Sequence, residues 1–222
     1  PERRHEMRRV RFITPDRERE LLQRAVLQVP AGGSIRKYIA RLGKDGGRLI
    51  LEPGLFTIND QISITADRVE VIAYGAKIQS TANNGARVGF SVTGSYFRWF
   101  GGEIDEPHGE TGAFILGGDG SRISDVRFLD CYTAIAISGA DQCVISGCHV
   151  VAARDTRYAM FLQNAVACIV ANNIIEPTPT QAIHAEDTVT NTVFVGNAVD
   201  TYRYKGSVGN VAAANTGTPT VA

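Results

Sequence analysis

Residues 145–150 read ISGCHV, and the same arrangement returns along the chain. AYGAKI (73–78), WFGGEI (99–104), ISDVRF (123–128), VANNII (170–175) and FVGNAV (194–199) align with it without gaps. They end at Ile78, Ile104, Phe128, Val150, Ile175 and Val199, at spacings of 26, 24, 22, 25 and 24 residues. A recurrent period of this length is the signature of a solenoid, in which each unit buries its apolar face only against its neighbours. The third position of the motif holds Gly75, Gly101, Asp125, Gly147, Asn172 and Gly196. Glycine, asparagine and aspartate tolerate a left-handed backbone, so this column predicts a bend at the same point of every coil.

Two more series share the frame. ISI, FSV, AFIL, AIAI, AMFL and AIHA begin near Ile62, Phe90, Ala113, Ala134, Ala159 and Ala182, while VEVIA, FRWF, RI, CVI, CIV and TVFV precede the bend. Three short strands per coil predict an all-β fold, a right-handed single-stranded parallel β-helix of about seven coils. At a rise of ~4.8 Å per coil the body would be ~35 Å long. Ahead of it, Ser34 suits a helix N-cap, Ile35, Ile39 and Leu42 recur at helical spacing, and Gly43 suits a C-cap. The chain divides accordingly into an arginine-rich helical arm (1–30), a capping helix with the β-helix (31–206) and a tail (207–222) that closes the solenoid or swaps onto a neighbour. The tail repeats Val-Gly-Asn 13 residues after its previous occurrence.

With the strands placed, the short stretch CVISGCH (143–149) ceases to read as a metal centre. Alternation sends Cys143 and Cys168 inward on adjacent coils and Cys148 inward beside the bend, whereas His149 points out. The three side chains diverge, so the expectation is buried free thiols, no metal and no cofactor. Asn173 and Asn197 fall inside the bend on neighbouring coils, where stacked amides satisfy one another.

Composition narrows the function classes. Of 222 residues, 44% are hydrophobic and 21% charged, and the formal net charge is +0, so no global field draws the molecule to nucleic acid or an anionic membrane. No apolar run approaches the roughly 18–20 residues of a membrane span, and cytoplasmic synthesis is the default. The first 24 residues carry eight arginines against five acids. The interspersed acids favour a mixed-charge helix over PDRERELLQRAVLQV (15–29), docking on a partner or on the body, above a nucleic-acid arm.

GGRLILEPGLFTI (46–58) resembles the opening coil of pectate-lyase-like β-helices, whose usual form is a helical cap, a Gly-Gly, a strand and a Pro-Gly turn. The resemblance covers residues 33 to about 205 and implies architecture more than activity, since the superfamily spans lyases, hydrolases, epimerases, adhesins and phage tailspikes. In its enzymes the strand after the long loops, with those loops, commonly forms the substrate cleft. Here that outward column reads Ser63, Ser91, Ile115, Ala136, Phe161 and His184, beside small Ala113, Ala134, Ala159 and Ala182. It is largely apolar, as is the outward column Val144, Ile169 and Val193 before the bend. Apolar exteriors on two faces point to a homo-oligomer packed through Ile115, Phe161, Val144, Ile169 and Val193.

Candidate chemistry lies elsewhere. The outward column after the bend reads Lys77, Glu103, Arg127, His149, Ile174 and Ala198, with Asp105 beside Glu103. It is an ion-pair ladder or a sugar-binding or catalytic patch, with Glu103 and Asp105 as paired carboxylates and Arg127 and His149 as their charge partners. The loops DEPHGETG (105–112) and AARDTRY (152–158) add His108, Glu110, Arg154, Asp155, Arg157 and Tyr158, and Tyr158, Tyr202 and Tyr204 can stack on sugar rings. The paired-aspartate and Gly-His-Gly motifs of polygalacturonases are absent, and DEPH (105–108) departs from the Asp-Pro-His of mannuronan epimerases because Glu106 interrupts it. A short body, apolar flanks and a helical arm resemble a phage spike or fibre. This leads to a non-catalytic receptor-binding spike of a phage or phage-like particle, attached to the particle through residues 1–30 and binding bacterial surface polysaccharide such as capsule. The alternatives are a polysaccharide lyase, hydrolase or epimerase using Glu103, Asp105 and His149 or His108, and a purely structural spacer.

Overall fold

Short β-rich runs that recur at a steady period can each pair with the run one period away. The computed structural model of the chain describes residues 24–81, 89–106, 112–151, 158–176, 181–186, 188–204 and 209–221, and shows this pairing throughout. The result is a right-handed parallel β-solenoid of about six turns with one short helix near its start.

Three faces run the length of the body. The first stacks Gly47–Leu51, Val69–Ile72, Arg98–Phe100, Arg122–Ser124, Val144–Ser146, Ile169–Ala171 and Val193–Val195. The second stacks Gly54–Ile58, Ala76–Ser80, Glu103–Asp105, Arg127–Leu129, His149–Val151 and Ile174–Ile175. The third stacks Gln61–Ile64, Gly89–Val92, Gly112–Leu116, Thr133–Ser138, Tyr158–Gln163 and Gln181–Ala185. One further strand, Ala198–Tyr204, pairs with both Ile174–Ile175 and Gln181–Ala185, so the expected seventh coil merges its second and third faces.

The bend column behaves as its composition predicts. Gly75, Gly101, Asp125, Gly147, Asn172 and Gly196 all carry positive φ, between 56° and 80°. The residues ending each motif, Ile78, Ile104, Phe128, Val150, Ile175 and Val199, are at most 7% exposed and stack as one internal column. Burial of such side chains contributes roughly 1.5–3 kcal/mol each. Near the N-terminal end the column widens into an aromatic cluster, with Phe90 4.8 Å from Trp99 and 5.2 Å from Phe114 between ring centroids. The Trp99 indole N–H donates to the Gly101 carbonyl at 3.0 Å, satisfying its polar edge inside the core.

The helix α1 (Ile35–Leu42) caps the N-terminal end of the body, against Val26–Val29 and Gly47–Leu51. Ser34 accepts from the Lys37 N–H, Gly43 ends the helix at φ 64°, and Ile35, Ile39 and Leu42 face the core. The helix expected over residues 15–29 does not hold at its C-terminal part: Val26–Val29 is a strand, paired in parallel with Gly47–Leu51. Local charge periodicity could not reveal that partner, which lies beyond the intervening helix; residues 1–23 lie outside the described residues. The tail adds a last partial coil. Val211–Ala213 stacks on Val193–Val195, and Thr216–Val221 on Ala198–Tyr204, within the same chain.

All four cysteines, Cys131, Cys143, Cys148 and Cys168, are buried and free. Contact with the Cys168 thiol and burial push the Cys143 thiol well up, and burial pushes Cys148 up to about 12, so neither is a thiolate at neutral pH. Among the described residues no group of three or more His, Cys, Asp and Glu is placed to hold a metal. Nor is any helix among them long and apolar enough to cross a membrane.

Candidate functional site

On the second face, strand alternation turns every other side chain to solvent, and parallel register stacks them. Lys77 lies opposite Glu103, Glu103 opposite Arg127, Arg127 opposite His149, and His149 opposite Ile174. Lys77 Nζ reaches Glu103 at 3.2 Å and Asp105 at 3.1 Å, and Arg127 donates to the other oxygen of Glu103 at 3.0 Å. The two carboxylates hold Lys77 above its ordinary range, Asp105 contributing most. The candidate pair is therefore brought together, but by a shared ammonium, and Glu103 has a cation on each side.

His149 does not join this group. Its Nε2 lies 3.3 Å from Glu176, a residue two positions past Ile174 on the outward side and one coil along. Arg127 occupies the rung between His149 and Glu103. His108, Glu110, Arg154, Asp155 and Arg157 lie outside the described residues, as do the side chains of Tyr202 and Tyr204.

Tyr158 is placed on the third face, where it is already engaged. Its ring stacks on His184 at 4.1 Å and on Phe161 at 5.5 Å, and Phe161 stacks on His184 at 5.8 Å. A face of Tyr158 expected to meet a sugar is occupied within the chain. Below this stack Gln163 donates to Glu186 at 2.8 Å. The aromatic stack and the fully buried Ala113, Ala134, Ala159 and Ala182 show that this column is partly covered by the protein itself.

The direction of one loop carboxylate was not read from the sequence. Glu106 follows Asp105 directly but points inward; it is 2% exposed, and neither side-chain oxygen has a hydrogen-bond partner among the described residues. Burial pushes its carboxyl up to about 8. The signal was present in the alternation itself, since Ile104 is inward and Glu106 shares its parity.

A fold of stacked three-strand coils with a capped N-terminal end and an internal amide ladder defines the class of right-handed parallel β-helix proteins. The family model described as "Right handed beta helix region" matches residues 56–199, and the chain belongs to that family. No curated protein sequence matches it. Among solved structures it is similar to a candidate glycosyl hydrolase from Parabacteroides merdae, with a TM-score of 0.60 and 16% identity over 78% of this chain and 95% of that one. It is also similar to ORF18 of Geobacillus virus E2, with a TM-score of 0.44 and 14% identity over 92% of this chain and 62% of that one. The Dettilon tailspike protein gives a TM-score of 0.45 and 14% identity over 90% of this chain and 69% of that one.

Proposed function

We propose that the chain is the body of a non-catalytic receptor-binding spike of a phage or phage-like particle, assembled as a homo-oligomer and binding bacterial surface polysaccharide. The observation that carries this reading is the outward column of the first face. Its core side is complete, yet Val144, Ile169, Val193 and Val211 continue an apolar stripe on the exterior, with Ile169 40% and Val211 53% exposed. A monomer gains nothing from such a stripe, and a second copy covers it. Particle attachment falls to residues 1–23, because Val26–Val29 belongs to the body.

The carboxylates support binding over turnover. A glycosidase needs one carboxyl held protonated and one ionised, both facing substrate. Here Glu103 and Asp105 face out but are neutralised by Lys77 and Arg127, while the carboxyl with the raised pKa, Glu106, faces the core. Strand parity separates the two halves of the chemistry.

The test is to incubate the protein with bacterial capsular and lipopolysaccharide preparations, following both binding and polymer length. Binding with polymer length unchanged is the expected result. Shortened chains, with the shortening abolished by Glu103→Gln or Asp105→Asn, would make the protein a depolymerase. Absence of any binding would leave the structural-spacer reading in its place.

A further inference from the structure

Two outward columns pair opposite charges from coil to coil: Arg48 with Glu70 at the start of the first face, and Lys77, Glu103 and Arg127 along the second. Beyond Glu70 the first face carries Arg98 and then Arg122 in direct register. Both are exposed, and neither makes an ion pair or a side-chain hydrogen bond among the described residues. Like charges on adjacent rungs, ~4.8 Å apart, oppose folding. The acids at the adjoining turn are engaged by backbone amides: Asp67 accepts from Ser95, Asp119 from Asp141, and Asp141 from Val166.

Two tyrosines flank this pair. Tyr96 adopts φ 60°, a region costly for an aromatic residue, yet it is 56% exposed. Its ring sits where a Cβ on Gly120 would stand, 2.7 Å from that point, so the glycine makes room for the aromatic. At the other edge Tyr74, also 56% exposed, rests on Gly101 in the same manner and is tethered to Asp125 at 3.3 Å. Strand Arg98–Phe100 runs between the two, so the arginines form the floor of a strip with aromatic edges.

We propose that this strip binds an acidic sugar: a uronate carboxylate bridges the Arg98 and Arg122 guanidinium groups, and the pyranose ring lies against Tyr96. Guanidinium is the cation suited to a carboxylate, because its planar fork offers paired donors, and an exposed aromatic ring is a surface for the apolar side of a sugar. The inference rests on the polysaccharide-binding reading and names the ligand chemistry and its place, on a face distinct from the Glu103 ladder.

The experiment measures affinity for acidic capsular polysaccharides, each native and carboxyl-reduced. Arg98→Ala and Arg122→Ala should each weaken binding of a native polymer about tenfold or more, with Arg→Lys variants intermediate. Carboxyl-reduced polymers should bind poorly to every variant alike. Tyr96→Gly, whose backbone suits φ 60°, should keep the fold and lose affinity severalfold. Because the arginines repel, the alanine variants should melt at or above the parent temperature; a purely structural role would lower it. Equal binding of native and reduced polymers, or unchanged affinity in both alanine variants, overturns this site and leaves the spike reading standing. No binding of any polysaccharide overturns both.

Discussion

Asp105 and Glu106 are neighbours in sequence and strangers in space. The first shares Lys77 with Glu103 at the surface; the second is buried, its oxygens without a hydrogen-bond partner among the described residues. An isolated glutamate ionises near 4.5, and in this buried position ionisation waits until about 8. Between those values the folded protein holds a proton that the unfolded chain has released, so rising pH favours unfolding. The stabilisation is complete below about 4.5 and lost as pH passes about 8. The Cys131 thiol beside it is pushed well up, first by burial and then by the Glu106 and Asp105 charges, and does not titrate in this window. Glu106→Gln should therefore match the parent protein near pH 4 and exceed it at pH 9 by roughly 3–5 kcal/mol in urea unfolding. Parallel stability curves across that range would show that the carboxyl is not held protonated.

At the scale of the element, the bend is held from inside by stacked asparagines. The Asn173 side chain accepts from the Cys148 N–H at 2.9 Å, Asn197 accepts from the Asn173 N–H at 3.1 Å, and Asn215 accepts from the Asn197 N–H at 2.9 Å. Each amide also donates across the bend, to the carbonyls of Ile145, Val170 and Phe194. Asn197→Ala removes the acceptor for both the backbone N–H and the side-chain amide of fully buried Asn173. The expected cost is about 2–4 kcal/mol, read as a lowered urea midpoint with unchanged m-value; a loss under 1 kcal/mol would mean the ladder is dispensable. The bend column, the capping helix and the Asn173–Asn197 pair were legible because each depends on local chemistry repeated at a steady period. Asn215 and a second ladder, in which Asn210 accepts from the Thr192 N–H, were not, because the last coil shortens to 18 residues. The second Val-Gly-Asn therefore misleads: its Asn210 lies opposite Thr192, and Asn215 takes the place opposite Asn197. The strand Val26–Val29 stayed hidden for the opposite reason, since its partner lies across a helix and only tertiary pairing could override the charged pattern before it. Strand parity likewise placed Glu103 and Asp105 on the surface, and Lys77 and Arg127 stand in direct register with Glu103, but the diagonal reach of Lys77 to Asp105 depends on side-chain length and was not legible.

For the whole molecule the consequence of regular stacking is a division of labour along one face. Arg48, Glu70, Arg98 and Arg122 occupy its first coils, and Val144, Ile169, Val193 and Val211 its later ones. The second outward column of the same strands carries no charge, running from Ile50, Ile72 and Phe100 through Ser124 and Ser146 to Ala171, Val195 and Ala213, so the later half is small-sided as well as apolar. Parallel strands with short apolar side chains can pack closely on a copy of themselves, whereas the arginine half would repel one. A stable interface needs about 800 Å² from each partner, so the stripe has to act together with its flanking columns. A charge at its centre should prevent association without disturbing the core, because the Ile169 side chain is outward and its inward neighbours Cys168 and Val170 remain in place. The parent protein should thus run as an oligomer in light scattering after size exclusion, and Ile169→Lys or Val193→Lys as a monomer with the same circular dichroism spectrum. A monomeric parent at micromolar concentration would refute assembly through this face, and an oligomer indifferent to both lysines would move the interface to the Ile115 and Phe161 side.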